Sequence, residues 1–325
     1  MLCCPNGVKN RSDSVITTVC LNPSVDHTVE VEHLETGALN RVISGRYDAG
    51  GKSLNVAVSS SALGLDAECV GFMYRESARL FEKRLLKSAT AYDFIWCEGR
   101  ARTNLKIFDR SRGEVTEINE PGIGVQEADL QKMTELVVHR AAHADFLVLS
   151  GSMPPNCPWD YYRTLISRVE GLGCRCILDA DGERLKLGIE AKPFLIKPNR
   201  YELELLTGRE LHGIAEIACA AREVQEQGVE VVAVSMGAEG ALIVCGDECL
   251  YAKALSVPVR STVGAGDSMV AGLAAGFLME ADLETAFRMG VAAAGAKCMA
   301  EGSDTFSRAD YKALIKRVEI QNMEA

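Results

Sequence analysis

Short apolar runs alternate along the chain with longer segments of helical period. The first run, residues 14–21 (SVITTVCL), predicts a strand. Further runs at 67–72, 93–97, 146–150, 174–179, 194–196 and 229–235 are rich in Val, Ile, Leu, Phe or Cys. Continuous rather than alternating hydrophobicity is what a strand covered on both faces requires. Helical periodicity fills the intervals at 54–63, 77–88, 127–143, 159–171, 200–206 and 214–227. Strand–helix alternation of this kind predicts an α/β fold: a mainly parallel central sheet between two layers of helices.

Two stretches break the alternation. Residues 28–34 and 40–48 have β alternation with little bulk, and 102–119 (RTNLKIFDRSRGEVTEIN) reads as a hairpin turning at Ser111, Arg112 and Gly113. These strands are expected to form a small β-sheet standing off the main body as a lid. The last hundred residues predict a hairpin near 241–252 and then helices starting near Gly266, Leu283 and Ser307. There is no internal repeat and no low-complexity linker.

Composition narrows the function classes. Lys plus Arg is 35 and Asp plus Glu 45 in 325 residues, a net charge of −10 that argues against nucleic-acid binding and against attraction to anionic lipid. The longest apolar run, 269–279, has about half the roughly 20 residues that a membrane span needs. The first 13 residues read as a short disordered tail rather than a secretory signal. Twelve cysteines without a CxxC pair are expected as reduced thiols, which places the protein in the cytoplasm. His139 and His143 have helical i, i+4 spacing, but no acidic or Cys partner lies near them in sequence, so solvated helix surface is the expectation.

Candidate chemistry concentrates in three places. In STVGAGDSMVAGLAAGFL, Gly264, Ala265 and Gly266 precede a long apolar helix. Small residues let a ligand approach the backbone, and a helix start offers free N–H groups and a positive dipole end, an anion site suited to a phosphoryl group in transit. Asp267 follows at the first turn, where helix capping is the simpler alternative. In KPNRYELELLTG, Lys197 follows a strand, and Asn199 and Glu202 share one helical face; they form either a site for magnesium-bound water or a capping box. In VSMGAEGALIV, Ser235, Gly237 and Gly240 form either a nucleotide-binding turn or a plain hairpin. A Walker loop is excluded because Gly51-Lys52-Ser53 has Arg at 46, and a dinucleotide fingerprint because Gly264-x-Gly266 continues to Met269.

GAGDS before a small-residue helix, KPNxxE after a strand, and AGGKSLNVA near the start together resemble the ribokinase-like, PfkB-type carbohydrate kinases, over about residues 14–318. Within that family TVCLNPSVDHTVEV, LNRV, RTNLKI, TEINEPG and SGSMPP are most similar to the ketohexose-phosphate kinases, the fructose-1-phosphate enzymes before those of tagatose 6-phosphate and fructose 6-phosphate. The resemblance implies a ribokinase-like three-layer sandwich with a β-sheet lid, one kinase domain over 14–325, and ATP and Mg²⁺ as cofactors. It implies Asp267 as general base and Gly264, Ala265 and Gly266 as anion hole. Lys197, Asn199 and Glu202 would order the ATP phosphates and magnesium, with Glu202 acting through water, and Ser235, Gly237 and Gly240 would hold the nucleotide. Asp26, Gly50, Gly51 and Asn55 would bind the sugar, and Lys52, Arg102 and Ser152 the phosphate it already carries. The expected reaction is phosphorylation of D-fructose 1-phosphate to fructose 1,6-bisphosphate, with a non-catalytic sugar-phosphate sensor as the alternative from another class. Exposed lid edges invite a homodimer. The chain departs from the family pattern at Ser53, at 73–76 and at Lys297, where relatives usually have a small residue near the adenine.

Overall fold

The structure is a computed structural model and describes residues 15–323. The tail expected over residues 1–13 lies outside the described residues. In chain order the first half comprises β1 (Val15–Cys20), β2 (Ser24–Val31), β3 (Ser44–Gly50), α1 (Lys52–Leu63), β4 (Asp66–Tyr74), α2 (Ala78–Lys87), β5 (Ala91–Cys97), β6 (Arg102–Asp109), β7 (Glu114–Asn119), α3 (Glu127–Ala141) and β8 (Phe146–Ser150). The second half comprises α4 (Tyr161–Val169), β9 (Arg175–Asp179), α5 (Gly182–Ile189), β10 (Leu195–Ile196), α6 (Arg200–Thr207), α7 (Ile214–Gln225), β11 (Val231–Ser235), β12 (Ala241–Cys245), β13 (Glu248–Ala252), α8 (Ala265–Leu278), α9 (Leu283–Cys298), α10 (Arg308–Leu314) and β14 (Ile320–Asn322).

Ten strands form one sheet in the order β14-β13-β12-β11-β10-β9-β8-β1-β4-β5. The run from β11 to β5 is parallel, and β12 to β14 extend it antiparallel. β8 (FLVLS) is buried along its whole length, which is why its sequence is apolar without alternation. One apolar core lies under α3, α4, α5 and α7, and a second under α8, α9 and α10. Among the described residues no helix is long and apolar enough to cross a membrane, and the ten described cysteines are free thiols.

The small residues of α8 have a packing cause beyond any ligand. A methyl on Gly272 would lie 2.5 Å from Met289 O, and one on Gly276 would lie 2.4 Å from Ala286 Cα, so α8 and α9 touch backbone to backbone. α1 (KSLNVAVSSSAL) is likewise built of small residues, and Ser59 meets Ser268 of α8 at 3.0 Å between hydroxyl oxygens.

The remaining four strands form a separate sheet, order β3-β2-β6-β7. Here the structure differs from the sequence reading. β2 begins at Ser24 rather than at 28 and β3 runs from Ser44 to Gly50 rather than from 40 to 48, so both strands lie closer to the large sheet than expected. Register pairing from Ser24–Gly50 to Glu30–Ser44 selects these bounds, and it overrides the weak propensity of Ser24 and Asp26. Only Leu21–Pro23 separates β1 from β2, and only Gly51, at φ 127°, separates β3 from α1. Two elements were not anticipated. α5 is short and contains two glycines, and β14 is a three-residue edge strand held by pairing to β13.

Candidate active site

The C-terminal ends of β1, β8, β9, β10 and β11 and the first turns of α1, α6 and α8 converge under the small sheet on a cleft of about 520 Å³. This is where an open parallel sheet leaves free backbone groups and helix N-termini for a ligand.

Asp267 lies at the base of the cleft, 5% exposed, in the first turn of α8. It is not the helix cap. The N-cap is Gly264, left-handed at φ 79°, and the Asp267 side chain makes no capping bond. Its Oδ2 instead accepts from Asn55 Nδ2 of α1 at 2.7 Å. Burial pushes the carboxyl up and the charge of Asp179 adds to this. Lys52, the Asn55 bond and Lys197 oppose them, leaving the group near 6. A carboxylate in this range is ionised at neutral pH and more basic than a solvated one. The other amide atom of Asn55, Oδ1, is buried without a protein partner.

Asp179, at the end of β9 and 1% exposed, sits between two ammonium groups: Lys52 Nζ at 3.3 Å and Lys197 Nζ at 3.5 Å. Ser150 Oγ donates to its other oxygen at 3.2 Å. Burial raises the Asp179 carboxyl, but Lys197, Lys52 and the hydrogen bonds outweigh it and hold the group below the usual carboxylate range. Asp179 in turn keeps the Lys52 ammonium above its ordinary value. Lys197 reaches the α8 turn, because a methyl on Gly266 would stand 3.2 Å from its Nζ. At α6 the capping box is real: Asn199 Oδ1 accepts from Glu202 N and Glu202 Oε2 from Asn199 N, both at 2.8 Å. Both residues nevertheless line the cleft, and burial raises the Glu202 carboxyl.

The small sheet supplies the opposite wall. β2 and β6 pair in parallel with Ser24 beside Arg102 and Asp26 beside Asn104. Asp26 Oδ1 accepts from Ser24 Oγ at 3.0 Å and from Asn104 Nδ2 at 3.1 Å, and Oδ2 takes Lys106 Nζ at 2.9 Å. Gly50 lies against this carboxylate, and a methyl there would be 2.6 Å from Asp26 Oδ1. Arg102 donates only to neutral oxygens, those of Asn22, Asn104 and Glu120, so no carboxylate is hydrogen-bonded to its guanidinium at the cleft. Ser152 Oγ accepts from Asn22 Nδ2 at 3.2 Å.

Most of the residues singled out from sequence therefore line one cavity. Gly50 lies behind Asp26, and Ala265 is the first residue of α8. Gly237 and Gly240 occupy the turn between β11 and β12, away from the cleft lining, with only Ser235 reaching it. Gly240 has a packing reason: at φ 105°, a methyl would fall 2.0 Å from Ala252 O. Sequence reasoning passed over Asp179, Lys106, Asn104 and Asn22. For Asp179 the signal was a carboxylate ending a buried strand, and for Lys106 the two-residue spacing from Arg102 through Asn104.

The fold and this cleft define a phosphotransferase acting on a sugar. The profile of the pfkB family carbohydrate kinases matches residues 20–309. The 1-phosphofructokinase of Rhodobacter capsulatus is 38% identical over 278 residues, covering 85% of this chain and 88% of that protein. The 1-phosphofructokinase of Escherichia coli strain K12 is 34% identical over 307 residues, 94% of this chain and 98% of that one. The crystal structure of phosphofructokinase-2 from Escherichia coli in complex with substrates and products superposes with a TM-score of 0.87 at 30% identity, covering 93% and 98% of the two chains. The chain belongs to the PfkB family of carbohydrate kinases and is a sugar-phosphate kinase with the ribokinase-like fold.

Proposed function

We propose that this kinase transfers the γ-phosphoryl group of ATP to the free primary hydroxyl of D-fructose 1-phosphate, giving fructose 1,6-bisphosphate and ADP. The observation that carries the reading is the buried Asp267 carboxylate directly after Gly264–Gly266 at a helix start. Asp267 takes the hydroxyl proton as the oxygen attacks phosphorus. The amides of 264–266 and the α8 dipole stabilise the charge on the migrating group. Lys197 and Lys52, both held by Asp179, bring positive charge to the phosphates. Asp26, kept in place by Lys106 and Asn104, accepts bonds from sugar hydroxyls, with the free Oδ1 of Asn55 as a further acceptor. Arg102, Ser152 and Lys52 receive the phosphate already on the sugar. The small sheet acts as a lid that excludes water from the phosphoryl group. Of the β11–β12 turn, Ser235 is the residue that reaches the cleft and would contact the nucleotide.

Among the described residues no group of three or more His, Cys, Asp or Glu is placed to cage a metal. That fits magnesium, which binds through one or two carboxylates, water and substrate phosphates. Glu202 would hold it through water: one of its oxygens is committed to the capping box, which leaves the other for a magnesium-bound water, and an adjacent cation would oppose the upward push of burial on its carboxyl. When bound, magnesium neutralises phosphate charge. β7 is exposed along its length with Val115 and Ile118 uncovered, which supports pairing of two lids in a homodimer. A tetrameric inhibited form is known for phosphofructokinase-2 from Escherichia coli.

ADP release measured with fructose 1-phosphate, fructose 6-phosphate and tagatose 6-phosphate tests the reading. The highest kcat/KM is expected with fructose 1-phosphate. Preference for fructose 6-phosphate, the ligand in one phosphofructokinase-2 structure, replaces the acceptor. Tight binding of a sugar phosphate without ADP release means a sensor.

A further inference from the structure

Lys297 occupies the last turn of α9 and is 2% exposed, one of the largest fully buried side chains in the molecule. None of the ion pairs within 4 Å among the described residues involves it. Its Nζ donates to Gly302 O at 2.8 Å. On its other side is the turn that opens α8, where a methyl on Gly264 would lie 3.3 Å from Lys297 Cε. A second, half-buried cation, Arg84 of α2, donates to the next carbonyl, Ser303 O, at 2.7 Å and to Ala49 O at 2.6 Å.

This arrangement is costly for folding. An ammonium with no carboxylate in direct contact, Asp267 and Asp304 acting only at longer range, is taken out of water and set beside the positive end of a helix dipole. Methionine has nearly the same length and would remove the charge. The arrival of a phosphoryl group at the same helix start gains from the charge, because the field of a fixed cation adds to that of the amides.

We infer that Lys297 is a positioning residue of the phosphoryl site: its ammonium is a fixed monovalent cation lodged behind the Gly264 turn, holding positive potential there as the phosphoryl group passes. The inference rests on the kinase reading of Gly264–Asp267 but not on which sugar is the acceptor. The groups facing Lys297 are Arg84 from α2, Asp267 from α8, the neighbouring Cys298, and Asp304 from the loop after α9. Burial, with Arg84 second, lowers its pKa to about 8, so the charge is present at neutral pH and is lost as pH rises through that value.

The test compares wild type with Lys297→Met and Lys297→Ala. Lys297→Met is expected to fold with an unchanged or raised Tm, to lose kcat by about tenfold or more, and to keep both KM values within about threefold. The alkaline fall in kcat near pH 8 should be absent from it. Lys297→Ala opens a space behind the turn and should regain part of its kcat in ammonium or methylammonium chloride but not in choline chloride. Full kcat with a retained alkaline limb in Lys297→Met overturns the inference, as does a fall in kcat that tracks a fall in Tm and does not respond to ammonium. A readout free of the sugar separates this from failure of the acceptor reading. Stabilisation by ADP with aluminium fluoride, a mimic of the transferring phosphoryl group, should be smaller in Lys297→Met than in wild type even if fructose 1-phosphate is not the acceptor. Equal stabilisation sinks the inference whatever the acceptor.

Discussion

The side-chain amide of Asn55 donates to Oδ2 of Asp267 across 2.7 Å, joining the first turns of two helices 212 residues apart. The bond favours the charged carboxylate, against burial and the nearby Asp179 that drive it towards the neutral form. In the proposed mechanism the ionised form is the proton acceptor, so kcat should rise with pH through about 6. Asn55→Ala removes a partner of the charged state and should move that limb to higher pH. Asp267→Asn should lower kcat by about 10³-fold or more while ATP affinity stays within severalfold. A pH profile unmoved by Asn55→Ala would remove Asp267 from the role of proton acceptor.

Asp179 acts on the same limb with the opposite sign. Its charge raises Asp267, so Asp179→Asn should shift the acid limb to lower pH. Lys52 and Lys197 also lose their carboxylate partner, and breaking a buried charge set of this kind costs about 3 kcal/mol. Denaturant unfolding of Asp179→Ala should show a loss of that order at neutral pH. Because the folded-state pKa of Asp179 lies below its ordinary value, its contribution is complete above the usual carboxylate range and disappears as pH falls through the folded value.

Arg102 separates acceptor binding from nucleotide binding. Its guanidinium meets only neutral oxygens at the cleft, so a phosphate is its natural charged partner. Loss of charge-assisted hydrogen bonds is worth about 1.5–3 kcal/mol, or roughly 10- to 100-fold. Arg102→Ala should raise KM for the phosphorylated sugar by that factor and leave KM for ATP unchanged. Initial-rate kinetics at saturating ATP measure it directly.

Two glycines should fail in different assays. A methyl on Gly276 meets Ala286 Cα of α9, far from the cleft, so Gly276→Ala should lower stability by about 1–3 kcal/mol with kcat per folded molecule unchanged. A methyl on Gly50 meets Asp26 Oδ1, so Gly50→Ala should raise the sugar KM while thermal unfolding moves little. If both variants differ from wild type only in Tm, Asp26 does not touch the sugar.

The large sheet was legible because burial on both faces forces unbroken apolar runs such as FLVLS and VVAVS. The turn at 264–266 was legible because the left-handed backbone at Gly264 and the close approach of Lys197 to Gly266 both demand small residues. The packing of α8 on α9 demands them too, so the glycines at 272 and 276 carry no information about a ligand. What stayed hidden depends on pairings between distant residues. Lys106 meets Asp26 only because β2 and β6 align in parallel across the chain. Asp179 looked like the ordinary end of a strand until Lys52 from the start of α1 and Lys197 from the end of β10 arrived to flank it. Glu202 shows the opposite limit: its spacing fitted two readings, and the structure realises the capping box while leaving the residue in the cleft.

Gly51 is the sole residue between β3 of the small sheet and Lys52, the first residue of α1. A connection that short has no slack. Any rocking of the sheet as a sugar enters turns the backbone at this joint, and the next side chain along is the lysine whose ammonium rests on Asp179. Movement of one wall of the cavity is therefore passed on to the Lys52–Asp179 pair in the other.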